Sequence, residues 1–163
     1  MNQRCVNLDD AFKRIRAVAD YQFGKMVGKE LFPEKVKIVF SRKTGRIRYI
    51  YLNGKRLATM RPTDGYFSLS VKGARRIIEN APHAECFVTV RDDVSQFIAK
   101  GGDVFAAHVV KADGQIRAKD EVIVVDRNQH VLAVGRAVLS CQEMAAFKRG
   151  VAVKVRRGCA EES

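Results

Sequence analysis

Six apolar residues, Val36, Ile38 and Phe40 followed by Ile47, Tyr49 and Tyr51, recur at every second position on either side of Lys43-Thr44-Gly45. Alternate residues share a face only in an extended strand, so the pattern predicts a β-hairpin. Asn53-Gly54, the dipeptide best suited to a type I′ turn, follows, and Lys55 to Met60 should return as a third antiparallel strand. Helical spacing flanks this sheet on both sides. Leu8, Phe12, Ile15, Ala19 and Phe23 lie three or four apart, with Asn7 or Asp9 placed to cap the start and Gly24 just past the end. Pro62-Thr63-Asp64-Gly65 turns the chain into a short strand from Tyr66 to Leu69. Ser70 then caps a helix over Val71 to Glu79, with Val71, Ala74 and Ile78 inward and Lys72, Arg75 and Arg76 toward water.

Asn80-Ala81-Pro82-His83 breaks the pattern, which places a domain boundary near residue 84. Beyond it a strand is expected at Cys86 to Val90. A short helix should follow, opened by Asp92 or Asp93, packed through Val94, Phe97 and Ile98, and ended by Lys100-Gly101-Gly102. Val104 to Lys111 reads as one strand, and Glu121 to Val125 with Val131 to Leu139 as a hairpin around Asp126-Arg127-Asn128-Gln129. Ser140 and Glu143 have capping-box spacing for a helix of about two turns, and Val151 to Arg156 is the last strand. Short strands with small helices suggest a closed or nearly closed barrel, which leaves few edges exposed. The expected class is α+β, a small mixed α/β domain followed by a mixed β-barrel with short helices. The tail, residues 159–163, should be frayed.

The 163 residues, 47% of them hydrophobic, are enough for two small cores, and the formal charge of +12 attracts polyanions. Residues 1–85 hold 18 basic and 8 acidic side chains against 12 and 10 in residues 86–163, so the long-range attraction comes mainly from the first half. No stretch resembles a signal peptide or approaches membrane-spanning length. Cys5, Cys86, Cys141 and Cys159 lie far apart, without a C-x-x-C pair or a neighbouring His set, and read as reduced thiols rather than metal ligands. Neither metal nor cofactor is expected. Gly24 to Glu30 has two glycines separated by three residues, and Glu30 stands where a phosphate-binding loop needs Ser or Thr. His83, His108 and His130 are scattered, and Asp9-Asp10 and Asp92-Asp93 sit at helix starts, where negative charge complements the helix dipole. An enzyme reading finds no support.

Two surfaces are candidates for binding RNA. Arg42, Lys43, Arg46, Arg48, Lys55 and Arg56 crowd the first hairpin, and strand alternation predicts Arg46 and Arg48 on one face with Ile47 and Tyr49 on the other. Such a ridge can track a phosphate backbone, or it can be a solvated face that protects an edge strand. The second surface comprises Lys100, Gly101, Gly102, Val104, Phe105, Arg136, Lys154 and Arg156. Its glycines either admit a nucleotide backbone to their amides or simply stop a helix. Alternation puts Val104 and Phe105 on opposite faces.

Arg16 to Gly24, Ser41 to Arg48 and Arg61-Pro62-Thr63-Asp64-Gly65 resemble the small domain that precedes PUA in archaeosine tRNA-guanine transglycosylases and archaeosine synthases. Phe97 to Phe105, Asp120 to Val125, Ala133 to Ala137 and Gly150 to Gly158 are similar to the PUA domain itself. The resemblance implies a transglycosylase C2-like domain over residues 1–84 and a PUA barrel over 85–158. It also implies an archaeal, cytoplasmic, non-catalytic protein that binds tRNA, with the acceptor end on the barrel and the tRNA body on the first half. The transglycosylase reaction runs on a (β/α)₈ barrel of about 250 residues, for which this chain has no room. A separately encoded or accessory subunit of a tRNA-modifying enzyme chain is therefore expected. One segment of a longer protein is the alternative, against which Met1 and the acidic tail favour a natural chain. The alternatives are an RNA-binding factor in ribosome biogenesis or translation, and a small tRNA transferase, against which the absence of a catalytic cluster counts.

If phosphate contacts dominate, log affinity for RNA should fall linearly with log salt, each neutralised phosphate adding about 0.7 to 0.9 to the slope. Replacing Arg46 and Arg48 by Ala should flatten that slope in a filter-binding titration. An unchanged slope would assign the ridge to solubility.

Overall fold

Asn7 opens helix α1 (Leu8–Phe23), its side chain accepting the amide of Asp9 at 3.0 Å. The computed structural model describes residues 7–162. Cys5 falls outside them. Ala11, Ile15, Ala19 and Phe23 form the buried stripe of α1, whereas Leu8 is 63% exposed. The short helix α2 (Val27–Leu31) was not anticipated from spacing. Gly28 belongs to it, and its amide donates to Asp20 Oδ1 at 2.6 Å. A Cβ there would lie 2.2 Å from the Arg16 carbonyl oxygen, so the residue serves helix contact.

Strands β1 (Lys37–Phe40), β2 (Ile47–Leu52), β3 (Lys55–Met60) and β4 (Phe67–Leu69) form an antiparallel sheet in that order. Asn53 at φ 52° and Gly54 at φ 77° make the expected hairpin turn between β2 and β3. Gln22 clamps edge strand β4 to α1, accepting from the Phe67 amide at 2.6 Å and donating to its carbonyl at 3.0 Å. Ser70 caps α3 (Val71–Asn80), which buries Ile77 where spacing had suggested Ile78.

The second sheet holds β5 (Phe87–Val90), β6 (Val104–Phe105), β7 (Val109–Ala112), β8 (Glu121–Val125), β9 (Val131–Ala137) and β10 (Val151–Gly158), in the order β6-β10-β9-β8-β5-β7. Only β5 with β8 is parallel. The single strand expected from Val104 to Lys111 is broken by a one-turn 3₁₀ helix, Ala106–His108. That turn carries the chain from one end of the sheet, where β6 pairs with β10, to the other, where β7 pairs with β5. Joining the two ends nearly closes the barrel. Helices α4 (Ser95–Ala99) and α5 (Cys141–Ala146) flank it, and Ser140 with Glu143 forms the expected capping box. Ile98 of α4 is buried, but Phe97, expected to pack inward, is 53% exposed.

All five residues of β8 are buried because both faces of that strand are covered. Val122 and Val124 join the barrel core with Val88, Ile98 and Val104, while Ile123 and Val125 join Phe23, Phe67 and Ile77 in the core of the first half. Alternation is thereby replaced by a continuous apolar run. Glu121, at the start of β8, is buried. It accepts the Leu69 amide and both terminal nitrogens of Arg156, and Arg156 also donates to the Leu69 carbonyl at 2.7 Å. The tail departs from expectation: Cys159–Glu161 forms a 3₁₀ turn, Glu161 accepts the Gly158 amide, and Glu162 accepts the Val71 amide at the start of α3. Carboxylate acceptors thus hold residues 159–162 where fraying was expected.

Arg156→Ala leaves the buried Glu121 charge without its ionic partner, a change that typically costs about 3 to 5 kcal/mol, with the lower end expected here because Arg156 is partly exposed. Urea unfolding should show this loss, and Lys154→Ala on the same strand should shift stability by less than about 0.5 kcal/mol. Equal effects would mean that the pair contributes nothing special.

Candidate nucleic-acid interface

The inner face of the first sheet is buried, and its outer face is lined by the side chains that alternate with the core. The pairing of β1 with β2 slips by one residue, since Phe40 faces Ile47 and Val39 faces Tyr49, leaving Arg48 without an opposite number. This bulge overturns the expectation that Ile47 and Tyr49 share a face. Ile47 and Ile50 are both buried, and Tyr49 and Tyr51 are turned to the outer face. Their rings lie 6.2 Å apart at 63°. The guanidinium carbons of Arg48 and Arg56 lie 5.4 and 5.7 Å from the Tyr49 ring centre, within cation–π range. A hydrogen bond and the positive charge of Arg48 hold the Tyr49 phenol below its ordinary pKa.

The cations of the predicted ridge are strung along β2. Arg42, Lys43 and Arg46 occupy the turn entering β2, closed by the Gly45 amide donating to the Ser41 carbonyl at 2.8 Å. Arg48 and Arg56 flank Tyr49 in the middle of the strand, and Lys55 follows the turn that leaves it. The six residues of β2 separate Arg46 from Lys55 by about 20 Å, and Arg48, Arg56 and the two tyrosines stand between them.

The second predicted surface is dispersed. Gly101 has φ 101°, and the amides of Gly101 and Gly102 donate to the carbonyls of Ile98 and Phe97 at 2.9 and 3.0 Å. A Cβ on Gly101 would meet the Glu161 carboxylate at 2.7 Å, and one on Gly102 would meet the Phe97 ring at 2.4 Å. Both amides are therefore engaged in ending α4, and their flanks are covered. Lys100 remains exposed beside them. Val104 is buried and Phe105 is 39% exposed, in the predicted alternation. The Phe105 ring stands edge-on to His108 with centres 5.5 Å apart. Arg136 and Lys154 are cross-strand partners on the outer face of the barrel. Arg156 is directed to Glu121 and Leu69 instead of outward.

Tyr21, Arg61, Asp64 and Tyr66 border a cleft of about 550 Å³ that also reaches Arg117, Lys119 and Arg136. No periodicity in the sequence flags these residues, which meet only when α1, the 61–66 turn and the loop before β8 are folded together. Asp64 accepts from Arg61 Nε at 3.1 Å and from the Tyr66 amide at 2.9 Å, and lies 3.9 Å from Arg136 across the seam between the two halves. Partial burial disfavours its charged form, but the Tyr66 amide, Arg61 and Arg136 together hold its carboxyl below the usual range. Among the described residues, Cys86, Cys141 and Cys159 carry free thiols, and burial pushes the Cys86 thiol well above its ordinary pKa, away from reactivity.

Residues 13–84 match the family described as patch-forming domain C2 of tRNA-guanine transglycosylase, and residues 87–159 match the PUA domain. The tRNA-guanine(15) transglycosylase of Thermococcus kodakarensis is 46% identical over 149 residues, covering 91% of this chain and 25% of the relative. That of Pyrococcus furiosus is 44% identical over 154 residues, covering 94% and 26%. The chain thus spans about a quarter of the length of these curated relatives. A hypothetical protein from Pyrococcus horikoshii OT3 has the same fold along nearly its whole length, with a TM-score of 0.75, 25% identity, and coverage of 94% of this chain and 92% of that one. The chain belongs, through residues 13–84 and 87–159, to the transglycosylase C2 and PUA domain families, and is homologous to the C-terminal region of archaeal tRNA-guanine(15) transglycosylases.

Proposed function

We propose that this chain is a non-catalytic RNA-binding module of tRNA modification, cytoplasmic and acting on tRNA beside a separate enzyme chain that performs the chemistry. The observation that carries the reading is the outer face of the first sheet. Cations lie along β2 from end to end, and between them stand Tyr51 and Tyr49, the latter flanked by the guanidiniums of Arg48 and Arg56. Guanidinium forks engage phosphate oxygens, and a tyrosine ring offers a stacking surface to a base without demanding its identity. Homology to a region of tRNA-guanine(15) transglycosylases supports tRNA as the ligand.

Two units divide the work in this proposal. Residues 1–84 supply charge and hold the tRNA body, while residues 85–158 take the acceptor 3′ end. A single-stranded end exposes base faces that an A-form duplex hides, and the barrel presents Phe105, Phe97 and Lys100 outward together with Lys154. Gly101 has positive φ and faces Glu161, so any side chain there perturbs folding before it perturbs binding.

The experiment compares tRNA with and without its terminal CCA. Wild type should prefer the intact RNA, and Phe105→Ala should lose about tenfold in affinity for it if the ring stacks on a base. Lys154→Ala should lower the salt slope by about 0.7 to 0.9. Replacing Tyr49 and Tyr51 by Ala should weaken both RNAs alike. Equal wild-type affinity for the two RNAs would defeat the acceptor-end assignment.

A further inference from the structure

The cleft between the two halves is absorbed by neither surface above. Two tyrosines from different elements stand at it: Tyr21, near the end of α1, and Tyr66, just before β4, with ring centres 5.8 Å apart and planes within 12° of parallel. Tyr21 is 78% exposed. An aromatic ring so accessible, and held in plane by a second, is a stacking platform with its own support. Burial of apolar area does not explain it, because the ring is mostly in water.

The polar lining suggests what would stack there. Arg61 and Arg136 are brought together from opposite halves by Asp64, with Arg117 and Lys119 on the same cleft. Arg61 Nη1 is buried and has no hydrogen-bond acceptor among the described residues, so one guanidinium donor is left to be satisfied. Carboxylates are interleaved with these cations: Asp20, Glu85 and Asp120 also line the cleft. A trench for polyphosphate would not carry them, since like charges repel. The mixture suits a nucleobase, whose edge offers donors and acceptors together, followed by one phosphate at the arginine side.

We propose that this cleft is a binding site for a single unpaired nucleotide of RNA, its base stacked on Tyr21 against Tyr66 and its phosphate held by Arg61 and Arg136. The proposal rests on the RNA-binding reading but assigns a site which that reading does not use. The residues that form it come from both halves, so it exists only in the joined molecule. Here the base is read by stacking and edge hydrogen bonds together, whereas the tyrosines of the outer sheet face stack on a base without reading its edge.

The test uses the full chain with two fluorescein-labelled probes, a single-stranded RNA hexamer and an abasic ribose-phosphate hexamer of equal charge. Wild type should bind the base-bearing probe more tightly by about tenfold or more, tenfold being the size expected of one base–aromatic stack. Tyr21→Ala should lower that preference by the share of one stack and leave abasic binding unchanged, whereas Tyr21→Phe, which keeps the ring, should retain it in full. Tyr21 is largely exposed and lies outside the core, so folding is not at issue, and circular dichroism confirms it for each variant. If Tyr21→Ala keeps the wild-type preference while Tyr49→Ala loses it, the bases are read on the sheet face. That result overturns the cleft and leaves the RNA-binding reading intact. Absence of binding to either hexamer, and to tRNA, overturns both.

Discussion

Glu121 is a carboxylate with no solvent of its own, and three strands depend on how it is satisfied. Its oxygens take the Leu69 amide from β4 and the Arg156 guanidinium from β10, while Arg156 returns to the Leu69 carbonyl. A buried ion pair of this kind contributes little stability compared with a well-packed apolar pair, but it tolerates only one arrangement of its partners. Beside it, Ile123 and Val125 on the outer face of the barrel enter the core of the first half with Phe67 and Ile77. Apolar burial holds the two halves together, and the carboxylate fixes how they meet. The meeting of Arg61, Asp64 and Arg136 across the seam follows from that register.

Local chemistry made much of the fold legible in the sequence. The caps at Asn7, Ser70 and Ser140 act within three residues, and the Asn53-Gly54 turn is set by its own backbone angles. What failed was decided at a distance. The bulge at Arg48 depends on the register with β1, and it reverses the face of Tyr49 without altering the composition of the strand. The break at Ala106–His108 satisfies barrel closure, a demand that strand periodicity between Val104 and Lys111 does not express. Residues 159–162 were expected to fray, yet the carboxylates of Glu161 and Glu162 accept backbone amides at Gly158 and Val71.

The candidate sites follow the same division. The cations of the first hairpin were visible in sequence because charge is a local property, although the meeting of Arg48 and Arg56 at the Tyr49 ring was not. Arg156 was grouped with Lys154 by alternation, correctly as to face, but its partner Glu121 lies 35 residues away along the chain. Gly101 and Gly102 could be read either as an opening for a ligand or as a helix stop, and the hydrogen bonds to Ile98 and Phe97 favour the stop. The pairing of Tyr21 with Tyr66 carried no signal, since 45 residues separate them along the chain.

Function in this account comes from geometry shared between an open sheet face, a barrel and the seam joining them, and it requires a particular class of RNA in the cell. The most direct measurement is recovery and sequencing of the RNA crosslinked to the native protein in growing cells, with the crosslinked nucleotide identified. The account predicts tRNA as the dominant species. Recovery of ribosomal RNA in place of tRNA, or of no RNA above background, would contradict it.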